Sequence, residues 1–545
     1  MTFTYDATAY RTFLEREFTY LAGFRRNVHR YAGNVAVTDP ATGEQWTYAE
    51  LGARVDSLAA GLAGLGVRAG DVVVYQLFNG PEFALLYLAT QVCGAVGSPV
   101  NFRLASGETA YVLDDSRPVM YVYDTDLTDA AADALERAGH RPKVVVAVGS
   151  ADPLPGAIRF EQLLTASGTP PAVTRTSYDE TTRLYTSGTT GMPKGVPLNS
   201  MVEVLTAHDV IMHFPLSPED RTLNMTPWFH RGGLYSGGPN PVFYLGAQVV
   251  PLRTFDPART LDLVAEYGLT HLVGAPTNLA MLARAQSEQP RDLSTLRGIV
   301  TMGAPLEREA CLRYQEVLTP RIFNGYGTTE AFWNTFLRPV DLPEHAGAAG
   351  RACTDDDVRV VRVLDDRLAR PDEPVAKDGA EVGEVIVRSP KCGYAYANSP
   401  GQEEAKFHDG WLYIGDLATW DAEEFVTIVG RKDDMLISGG ENVHPVQVEE
   451  ALDEHPGVAD AIVVGVPDPQ WGQRVVAYVV RADASLTAAD CDAHCRAHPM
   501  LSTFKRPRAY RFVDELPVTA TGKKVHYRAQ NQAVQDDADD LFERV

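Results

Sequence analysis

Residues Tyr185 to Gly195 read YTSGTTGMPKG, and the segment begins in a short apolar pair, Leu184-Tyr185. Glycine lets backbone N–H groups close on an anion, the hydroxyl side chains donate to phosphate oxygens, and Lys194 adds a positive charge. The segment does not match the GxxxxGK[ST] pattern of P-loop proteins, because Lys194 follows proline and precedes glycine. It predicts a phosphate-binding loop, and the stretch alone leaves a flexible Gly/Ser/Thr linker open as the alternative.

Short apolar runs lie on both sides of this loop, and several of them end in Gly or Pro. They are VVVYQL (72–77), KVVVAV (143–148), TLNMTP (222–227), GAQVVPL (246–252), THLVGAP (270–276), GIVTMGAP (298–305) and RIFNGYG (321–327). Runs with helical apolar spacing accompany them, from Glu50 to Leu65 and from Pro81 onward. This pattern predicts an α/β fold with largely parallel sheets, whose strands deliver ligand-binding loops to one edge.

The chain has 545 residues, which is too long for a single hydrophobic core. From about Val382 the strands become denser, and near Asp433 the pattern changes to a compact unit of alternating helices and strands. We therefore expect a large N-terminal region of several α/β subdomains over residues 1–432 and a small, mobile α+β domain over residues 433–533. Residues 534–545 form an acidic tail that we expect to be loosely ordered.

Charge and composition narrow the classes of function. The chain carries 49 basic and 72 acidic residues, a formal charge of -23, which repels nucleic acid and anionic membranes. Any bound polyanion therefore needs a local basic site. The N-terminal stretch lacks the pattern of a secretory signal, and no apolar run is long enough to cross a bilayer, so a soluble cytoplasmic protein is expected.

Six scattered cysteines fit a reduced compartment. Cys491, His494, Cys495 and His498 have the spacing of one helix face and could hold zinc. The favoured interpretation is an ordinary amphipathic helix that begins after an N-cap at Thr487.

The loop at 185–195 resembles the phosphate loop of the adenylate-forming superfamily, which comprises acyl-CoA synthetases, peptide-synthetase adenylation domains and luciferases. Further motifs occur in the family's order: WTYAEL (46–51), GVRAGDVV (66–73), PVNFRL (99–104), GYGTTE (325–330), GWLYIGDLA (410–418), GRKDDMLISGGENVHPVQVEE (430–450) and PVTATGK (517–523). The C-terminal motifs look most like the benzoate and chlorobenzoate CoA ligase branch. The resemblance implies an enzyme that activates a carboxylic acid with ATP as an acyl-adenylate and passes it to CoA.

The resemblance also implies a nucleotide site in residues 1–432. Its ATP- and AMP-binding residues would be Thr186, Ser187, Gly188, Thr189, Thr190, Gly191, Lys194, Gly303, Ala304, Pro305, Asn324, Gly325, Tyr326, Gly327, Thr328, Asp416 and Arg431. Glu330 matches the family's Mg²⁺ ligand, a hard oxygen donor for a hard cation. Lys523 matches the catalytic lysine, and Asp433 matches the hinge about which the C-terminal domain turns between two half-reactions.

The remaining predicted site residues concern the carboxylic acid that gives the acyl group and the CoA that receives it. The acid pocket would comprise Trp228, Phe229, His230, Tyr235, Ala304, Phe332 and Trp333, whose rings favour a cyclic or aromatic acid. His230 would sense the carboxylate or gate the pocket, and a packing histidine is the alternative. The CoA site would comprise Ser438, Gly439, Gly440, Trp471, Phe504, Arg506 and Arg508, since aromatic rings can stack on adenine and arginines can pair with phosphates.

Two departures from the family pattern leave the rate of adenylation open. Ile414 stands where a polar residue is usual, and Asn199-Ser200 replaces Thr-His. Four hypotheses therefore remain: an acyl-CoA ligase, a stand-alone adenylating enzyme that serves a carrier protein or amine, an enzyme that retains only the thioesterification half-reaction, and a non-catalytic nucleotide-binding relative. We expect small-molecule partners and no nucleic acid or membrane, and a homodimer stays an open alternative.

Overall fold

The computed structural model describes the chain apart from residues 1–5, 105, 166–167, 187–192, 365, 433, 435, 439–440, 469–470, 499–500, 502, 504 and 520–521. The described residues divide into two compact units. The first comprises residues 1–357 and 387–412, and the second comprises residues 358–386 and 413–545. The predicted boundary at residues 432 and 433 and the mobility of the last domain stay predictions.

The strands, in chain order, are β1 Val35–Thr38, β2 Gln45–Thr47, β3 Val72–Gln76, β4 Val96–Pro99, β5 Met120–Asp124, β6 Val144–Val148, β7 Ile158–Arg159, β8 Glu180–Thr186, β9 Lys194–Asn199, β10 Arg221–Asn224, β11 Gln248–Val249, β12 His271–Gly274, β13 Gly298–Met302, β14 Ile322–Thr328, β15 Phe332–Leu337, β16 Arg351–Ala352, β17 Asp357–Val361, β18 Gly383–Arg388, β19 Phe407–His408, β20 Trp411–Trp420, β21 Val426–Arg431, β22 Leu436–Ser438, β23 Glu441–Val443, β24 Val458–Asp468, β25 Gly472–Arg481, β26 Ala509–Val513 and β27 Glu543–Arg544.

The α-helices are α1 Ala7–Arg16, α2 Tyr20–Arg30, α3 Tyr48–Gly64, α4 Pro81–Val92, α5 Ser106–Ser116, α6 Thr128–Arg137, α7 Phe160–Leu164, α8 Ser200–His213, α9 Arg231–Tyr235, α10 Pro239–Leu245, α11 Pro257–Tyr267, α12 Pro276–Glu288, α13 Arg308–Val317, α14 Pro400–Lys406, α15 Pro445–Asp453, α16 Ala488–Ala497 and α17 His526–Ala538. Two short 3₁₀ helices cover Thr125–Leu127 and Pro339–Asp341. In the described ranges, no helix combines the length and apolar character that a membrane crossing requires.

Two sheets dominate the first unit. Over its described residues, one sheet has the strand order β16-β15-β14-β13-β12-β10-β11-β1-β2 and the other has the order β7-β6-β5-β3-β4-β8-β9. The central strands of both sheets pair in parallel. Strands such as β3, β5 and β13 are buried along their whole length, as expected where helices cover both faces of a parallel sheet. The predicted α/β class with mostly parallel sheets is confirmed.

The second unit contains a small sheet and a C-terminal sheet with accompanying helices. The small sheet includes β17, β18 and β20, with β21 antiparallel to β20. The C-terminal sheet has the order β23-β22-β25-β26-β27, with the long strand β24 paired to β25. Helix α16 begins after Thr487, whose side chain accepts a hydrogen bond from the Asp490 backbone N–H, so the predicted N-cap is confirmed.

The α16 cysteines and histidines have structural surroundings. Cys491 and Cys495 are fully buried in the core under the C-terminal sheet. His494 Nε2 lies 2.7 Å from the Ala451 carbonyl oxygen, and His498 Nε2 lies 2.9 Å from Glu454 Oε2. The helix therefore places its two sulfurs in the apolar core and its two imidazoles against the neighbouring helix region.

The acidic tail corrects one expectation, because its residues are ordered. Helix α17 continues to Ala538, and β27 pairs with β26. Ala533 and Phe542 are buried. The Tyr478 hydroxyl donates to Asp536 at 2.6 Å, and Arg511 forms an ion pair with the same carboxylate. The acidic composition suggested a solvated tail, but the apolar residues between the charges pack and a buried aspartate has partners.

Candidate functional site

The predicted phosphate loop connects two antiparallel strands of the first unit. Strands β8 and β9 pair so that Thr186 lies opposite Lys194. The structure does not describe five residues of the predicted phosphate-binding set: Ser187, Gly188, Thr189, Thr190 and Gly191. The hairpin thus places the first threonine and the lysine of the motif side by side at the base of the loop.

Lys194 belongs to a cluster with an aromatic ring and a carboxylate. Its ammonium group lies 5.4 Å from the centre of the Tyr396 ring, and the Tyr396 hydroxyl donates a 2.5 Å hydrogen bond to Glu330 Oε1. Burial lowers the pKa of Lys194, Lys406 lowers it further and Glu330 raises it. Burial and then the Glu330 charge raise the pKa of Tyr396. Tyr396 therefore orients the predicted metal ligand beside the predicted phosphate-binding lysine.

The predicted nucleotide shelf comprises residues directly after β13 and residues within β14. These strands run in parallel, with Thr301 opposite Asn324 and Met302 opposite Gly325, so Gly303 follows β13 beside the C-terminal half of β14. Gly303 has φ +88°, a left-handed conformation that favours glycine. Gly303, Ala304 and Pro305 keep exposed surface, whereas Asn324 is buried and donates to the Ala348 carbonyl at 3.2 Å.

Two glycines of this shelf are required by close packing. A Cβ atom on Gly325 would lie 2.7 Å from Trp333 Nε1, and one on Gly327 would lie 1.5 Å from the Phe332 carbonyl oxygen. The antiparallel pairing of β14 with β15 is irregular between Tyr326 and Gly327. The motif GYGTTE thus has glycines where the turn that carries Glu330 folds back on itself.

The predicted acid-pocket residues lie in the first unit, where the contact between Tyr235 and Phe332 joins their two aromatic segments. Trp228 and Tyr235 are fully buried, and Phe229, Phe332 and Trp333 are nearly so. The His230 ring lies 4.3 Å from the Phe229 ring, Phe332 stacks on Trp333 at 4.9 Å, and Tyr235 contacts Phe332 at 6.2 Å between ring centres. His230 is half-buried and is the N-cap of α9. Aromatic contact on this scale is consistent with both a pocket wall and core packing.

Two buried cations support the turn between β14 and β15, and sequence analysis did not single them out. Arg231 donates to the Thr329 carbonyl oxygen and, at 2.9 Å, to the Lys391 carbonyl oxygen. Lys391 Nζ lies 2.7 Å from the Trp333 carbonyl oxygen, 2.8 Å from Asp209 and 3.0 Å from Asp356. The backbone on both sides of Glu330 is therefore held by buried positive groups.

Asp209, His213 and Cys353 come close enough together for their ligand atoms to share a cation. Lys391 already balances the charge of Asp209. Burial raises the pKa of the Cys353 thiol well above its usual range; Lys391 lowers this pKa, and Asp209 and Asp356 raise it. This cluster therefore belongs to the buried ion-pair network of Lys391.

Glu203 is a further buried carboxylate that joins the phosphate-loop strand to the pocket. The Thr182 hydroxyl donates to it at 2.6 Å, and the Tyr87 and Tyr235 hydroxyls donate to it as well. Burial raises the pKa of Glu203, and these hydrogen bonds act in the opposite direction. A lone acid in the apolar run MVEVL is the sequence signal that could have identified it.

The second unit brings together three more predicted residues. Asp416 on β20 lies opposite Arg431 on β21, and Arg431 Nη1 donates to Asp416 Oδ1 at 2.7 Å. Desolvation lowers the pKa of Lys523, while Asp416 raises it and Arg431 lowers it. The charges of Asp416 and Arg431 therefore both act on Lys523 within the second unit.

The predicted CoA contacts are distributed along the C-terminal sheet. Ser438 pairs with Gly472, so it lies beside Trp471, which is 44% exposed. Arg506 is buried, and its Nε binds Asp492 at 2.7 Å, so its charge is already balanced. Arg508 is half-buried. The structure does not describe three of the predicted CoA-binding residues, Gly439, Gly440 and Phe504, or the predicted hinge residue Asp433.

Taken separately, the two units contain residues that suit parts of a magnesium nucleotide. In the first unit, the Glu330 carboxylate has one oxygen bonded to Tyr396 and a second oxygen that suits a hard cation. Lys194 of the same unit suits phosphate, and in the second unit the Asp416 carboxylate suits hydroxyl donors such as those of ribose.

The comparison with protein families identifies the family of this chain. Residues 24–396 match the AMP-binding enzyme family, and residues 447–523 match the AMP-binding enzyme C-terminal domain. The chain belongs to this family. It is a member of the adenylate-forming superfamily and an acid–thiol ligase that converts ATP into AMP and diphosphate.

Known CoA ligases are similar to this ligase in sequence or structure over nearly its whole length. It is 35% identical over 485 residues to the indoleacetate–CoA ligase of Aromatoleum aromaticum, which covers 88% of this chain and 91% of that protein. It is 30% identical over 519 residues to the 4-chlorobenzoate–CoA ligase of an Arthrobacter species, covering 91% and 92% of the two chains. The crystal structure of the anthranilate CoA ligase AuaEII with anthranoyl-AMP superposes with a TM-score of 0.85 at 26% identity and covers 96% of this chain and 98% of that chain.

The two departures from the family pattern have local structural roles. Asn199 is the N-cap of α8 and accepts a 2.9 Å hydrogen bond from the Val202 N–H. The Ser200 hydroxyl accepts a 2.8 Å hydrogen bond from the Tyr20 N–H. Ile414 is buried within β20. The unusual pair therefore fixes the start of α8 and its contact with α2.

Proposed function

We propose that this ligase activates a cyclic or aromatic carboxylic acid as an acyl-adenylate and transfers the acyl group to CoA. The observation that carries the proposal is the joint arrangement of Glu330, Tyr396 and Lys194 beside a wall of buried rings. Rings such as Trp228, Phe332 and Trp333 favour a flat substrate over a long flexible chain. The related indoleacetate and 4-chlorobenzoate ligases carry names of aromatic acids, which supports the same class.

In the first step the substrate carboxylate attacks the α-phosphorus of ATP, an acyl–phosphate bond forms, and diphosphate leaves. Both reactants are anions, so cationic groups must reduce their repulsion. Lys194 is assigned to the outer phosphates, Asp416 to the ribose hydroxyls and Lys523 to the oxygens around the reacting phosphorus. Glu330 would hold Mg²⁺, which supplies charge neutralisation at the phosphates.

In the second step the CoA thiol attacks the acyl carbon, a thioester forms, and AMP leaves. Ser438 and the neighbouring Trp471 are assigned to the CoA side, Trp471 by stacking on adenine. The proposal includes a turn of the C-terminal domain at Asp433, which exchanges Lys523 for the strand that carries Ser438. The proposed magnesium site, the hinge and the choice of acid all extend beyond the family assignment.

The test separates the two steps with Lys523→Ala. We expect this variant to lose acid-dependent pyrophosphate exchange while it still forms thioester from a supplied acyl-adenylate and CoA. Lys377→Ala serves as the control, because Lys377 is an exposed lysine of the second unit that pairs with Glu424. An equal loss of both half-reactions in Lys523→Ala would contradict the division of roles.

A panel of carboxylic acids identifies the acceptor and the acid. Each acid is incubated with ATP and Mg²⁺, with and without CoA, and adenylate and thioester are measured by mass spectrometry. Thioester formation from aromatic acids supports the proposal. Pyrophosphate exchange without CoA consumption would favour a carrier-protein or amine acceptor, and thioester formed only from a supplied adenylate would show that the first half-reaction is lost.

A further inference from the structure

Arg231 follows His230 of the predicted acid pocket and is a buried cation with no direct carboxylate partner among the residues that the structure describes. Arg231 is 3% exposed. Over the described residues, its hydrogen bonds go to neutral groups: the carbonyl oxygens of Thr329 and Lys391 and the Thr206 hydroxyl. Burial lowers the pKa of Arg231, and Glu330 and Glu203 raise it only through space. A buried cation is stable when an anion or strong acceptor compensates its lost hydration.

Two residues of the predicted acid pocket and the neighbouring Arg231 have buried N–H donors that lack acceptors among the described residues. In the part of the chain that the structure describes, Arg231 Nε, Trp228 Nε1 and Trp333 Nε1 are buried without a hydrogen-bond partner. Buried donors of this kind are rare in folded proteins and are expected to have a ligand or an ordered water molecule as a partner. All three belong to the residues that form or adjoin the proposed acid pocket.

A purely structural role for Arg231 explains only part of this arrangement. The guanidinium carbon lies 5.5 Å from the centre of the Phe332 ring and 5.7 Å from the centre of the Tyr235 ring, and the Nη groups bind two carbonyls. These contacts account for the position of Arg231. They leave the Nε–H without a partner and the positive charge without an ion pair among the described residues, because Glu203 Oε1 and Oε2 already accept from Thr182, Tyr235 and Tyr87.

We propose that Arg231 selects acids that carry a second oxygen group, anionic or hydrogen-bond-accepting, in addition to the carboxylate that is activated. This inference rests on the proposed function and deepens it by naming the substrate class. Arg231 acts as a specificity-determining residue that contacts the second group through Nε–H. A site built to donate to an oxygen discriminates strongly against a substrate that lacks it, because the buried donor is then left unpaired.

The test compares acids of matched shape. Thioester formation is measured with benzoate, the three methylbenzoates, the three hydroxybenzoates and the three benzenedicarboxylates, and with propanoate and malonate as a small pair. We expect kcat/KM for the best oxygen-bearing acid to exceed that of its hydrocarbon counterpart about tenfold or more. Arg231→Met should reduce this preference to within about twofold, since methionine keeps apolar bulk without a donor. Arg284→Met, a change of an exposed arginine on α12, should leave it unchanged.

Thermal unfolding and calorimetric binding separate a loss of folding from a loss of substrate selection. Thermal unfolding checks the fold of each variant, and if Arg231→Met does not fold, Arg231→Lys replaces it, with an expected fall in the preference of about threefold or more. Calorimetric binding of the same acids in the presence of AMP is measured in parallel. Thioester formation with a preference that Arg231→Met does not change would overturn the inference but not the ligase. A binding preference without any thioester would overturn the ligase proposal but not the inference.

Discussion

Tyr396→Phe is the sharpest test of the proposed metal site, because it removes one hydroxyl group. The Tyr396 hydroxyl donates to Glu330 Oε1 at 2.5 Å, and Tyr396 is 5% exposed. A hydrogen bond to a charged group contributes about 1.5–3 kcal/mol, and loss of a partner of a metal ligand lowers metal affinity or activity about 10- to 100-fold. Phenylalanine keeps the ring that faces Lys194 at 5.4 Å.

The assay is acid-dependent pyrophosphate exchange measured across a range of Mg²⁺ concentrations at fixed ATP. We expect the Mg²⁺ concentration for half-maximal exchange to rise about tenfold in Tyr396→Phe, the lower end of the range, because Glu330 keeps some solvent access. Tyr394→Phe is the matched control, since the Tyr394 hydroxyl accepts a 2.9 Å bond from the Ser389 N–H in the same segment. An unchanged Mg²⁺ dependence in Tyr396→Phe would refute the assignment of Glu330 as a metal ligand.

Three further predictions concern stability and backbone packing. Glu203→Gln leaves hydroxyl donors facing an amide, so the free energy of unfolding should fall by about 3 kcal/mol, seen as a lower urea midpoint; an unchanged midpoint would show that Glu203 is protonated in the native state. Burial lowers the pKa of His526, but the hydrogen bond and charge of Glu449 outweigh this and raise it. The resulting stabilisation is present below about pH 6.5 and is lost as the pH rises through the folded-state pKa of His526. His526→Gln should therefore make the urea midpoint fall less between pH 6 and pH 9 than it does in the unmodified protein. A fall parallel to that of the unmodified protein would contradict the pairing. Gly327→Ala should abolish pyrophosphate exchange because its Cβ would meet the Phe332 backbone, whereas Gly33→Ala, which meets nothing within 4 Å, should not.

Much of the fold could be predicted because local sequence and tertiary packing agree. The run from Val72 ends as the buried strand β3, and the run from Gly298 becomes β13 with Gly303 in a left-handed conformation directly after it. The helix predicted from Glu50 is found as α3, with a capping box at Thr47. Apolar strands that end in glycine specify both a parallel sheet and the edge that carries its loops.

The support around Glu330 could not be predicted in the same way. Tyr396 lies 66 residues away along the chain, and Lys391 reaches Asp209 across 182 residues. Their roles depend on which strands become neighbours, and residue spacing does not encode this. Glu203 and Arg231 left a weaker signal, a single charged residue within an apolar run. Such a residue must find partners once it is buried, although the sequence does not say which ones.

Local cations explain how a chain with a formal charge of -23 can act on anions. Some positive groups are balanced inside the protein: the buried Lys391 by Asp209 and Asp356, and the half-buried Arg431 by Asp416. Over the described residues, Arg231 binds its neighbours without a direct ion pair, and Lys194 contacts a ring. A balanced cation holds backbone in place, whereas an unbalanced one retains electrostatic attraction for a substrate. This distinction assigns Lys391 to the support of the turn and leaves Lys194 and Arg231 as the groups whose removal should weaken binding of phosphate and acid.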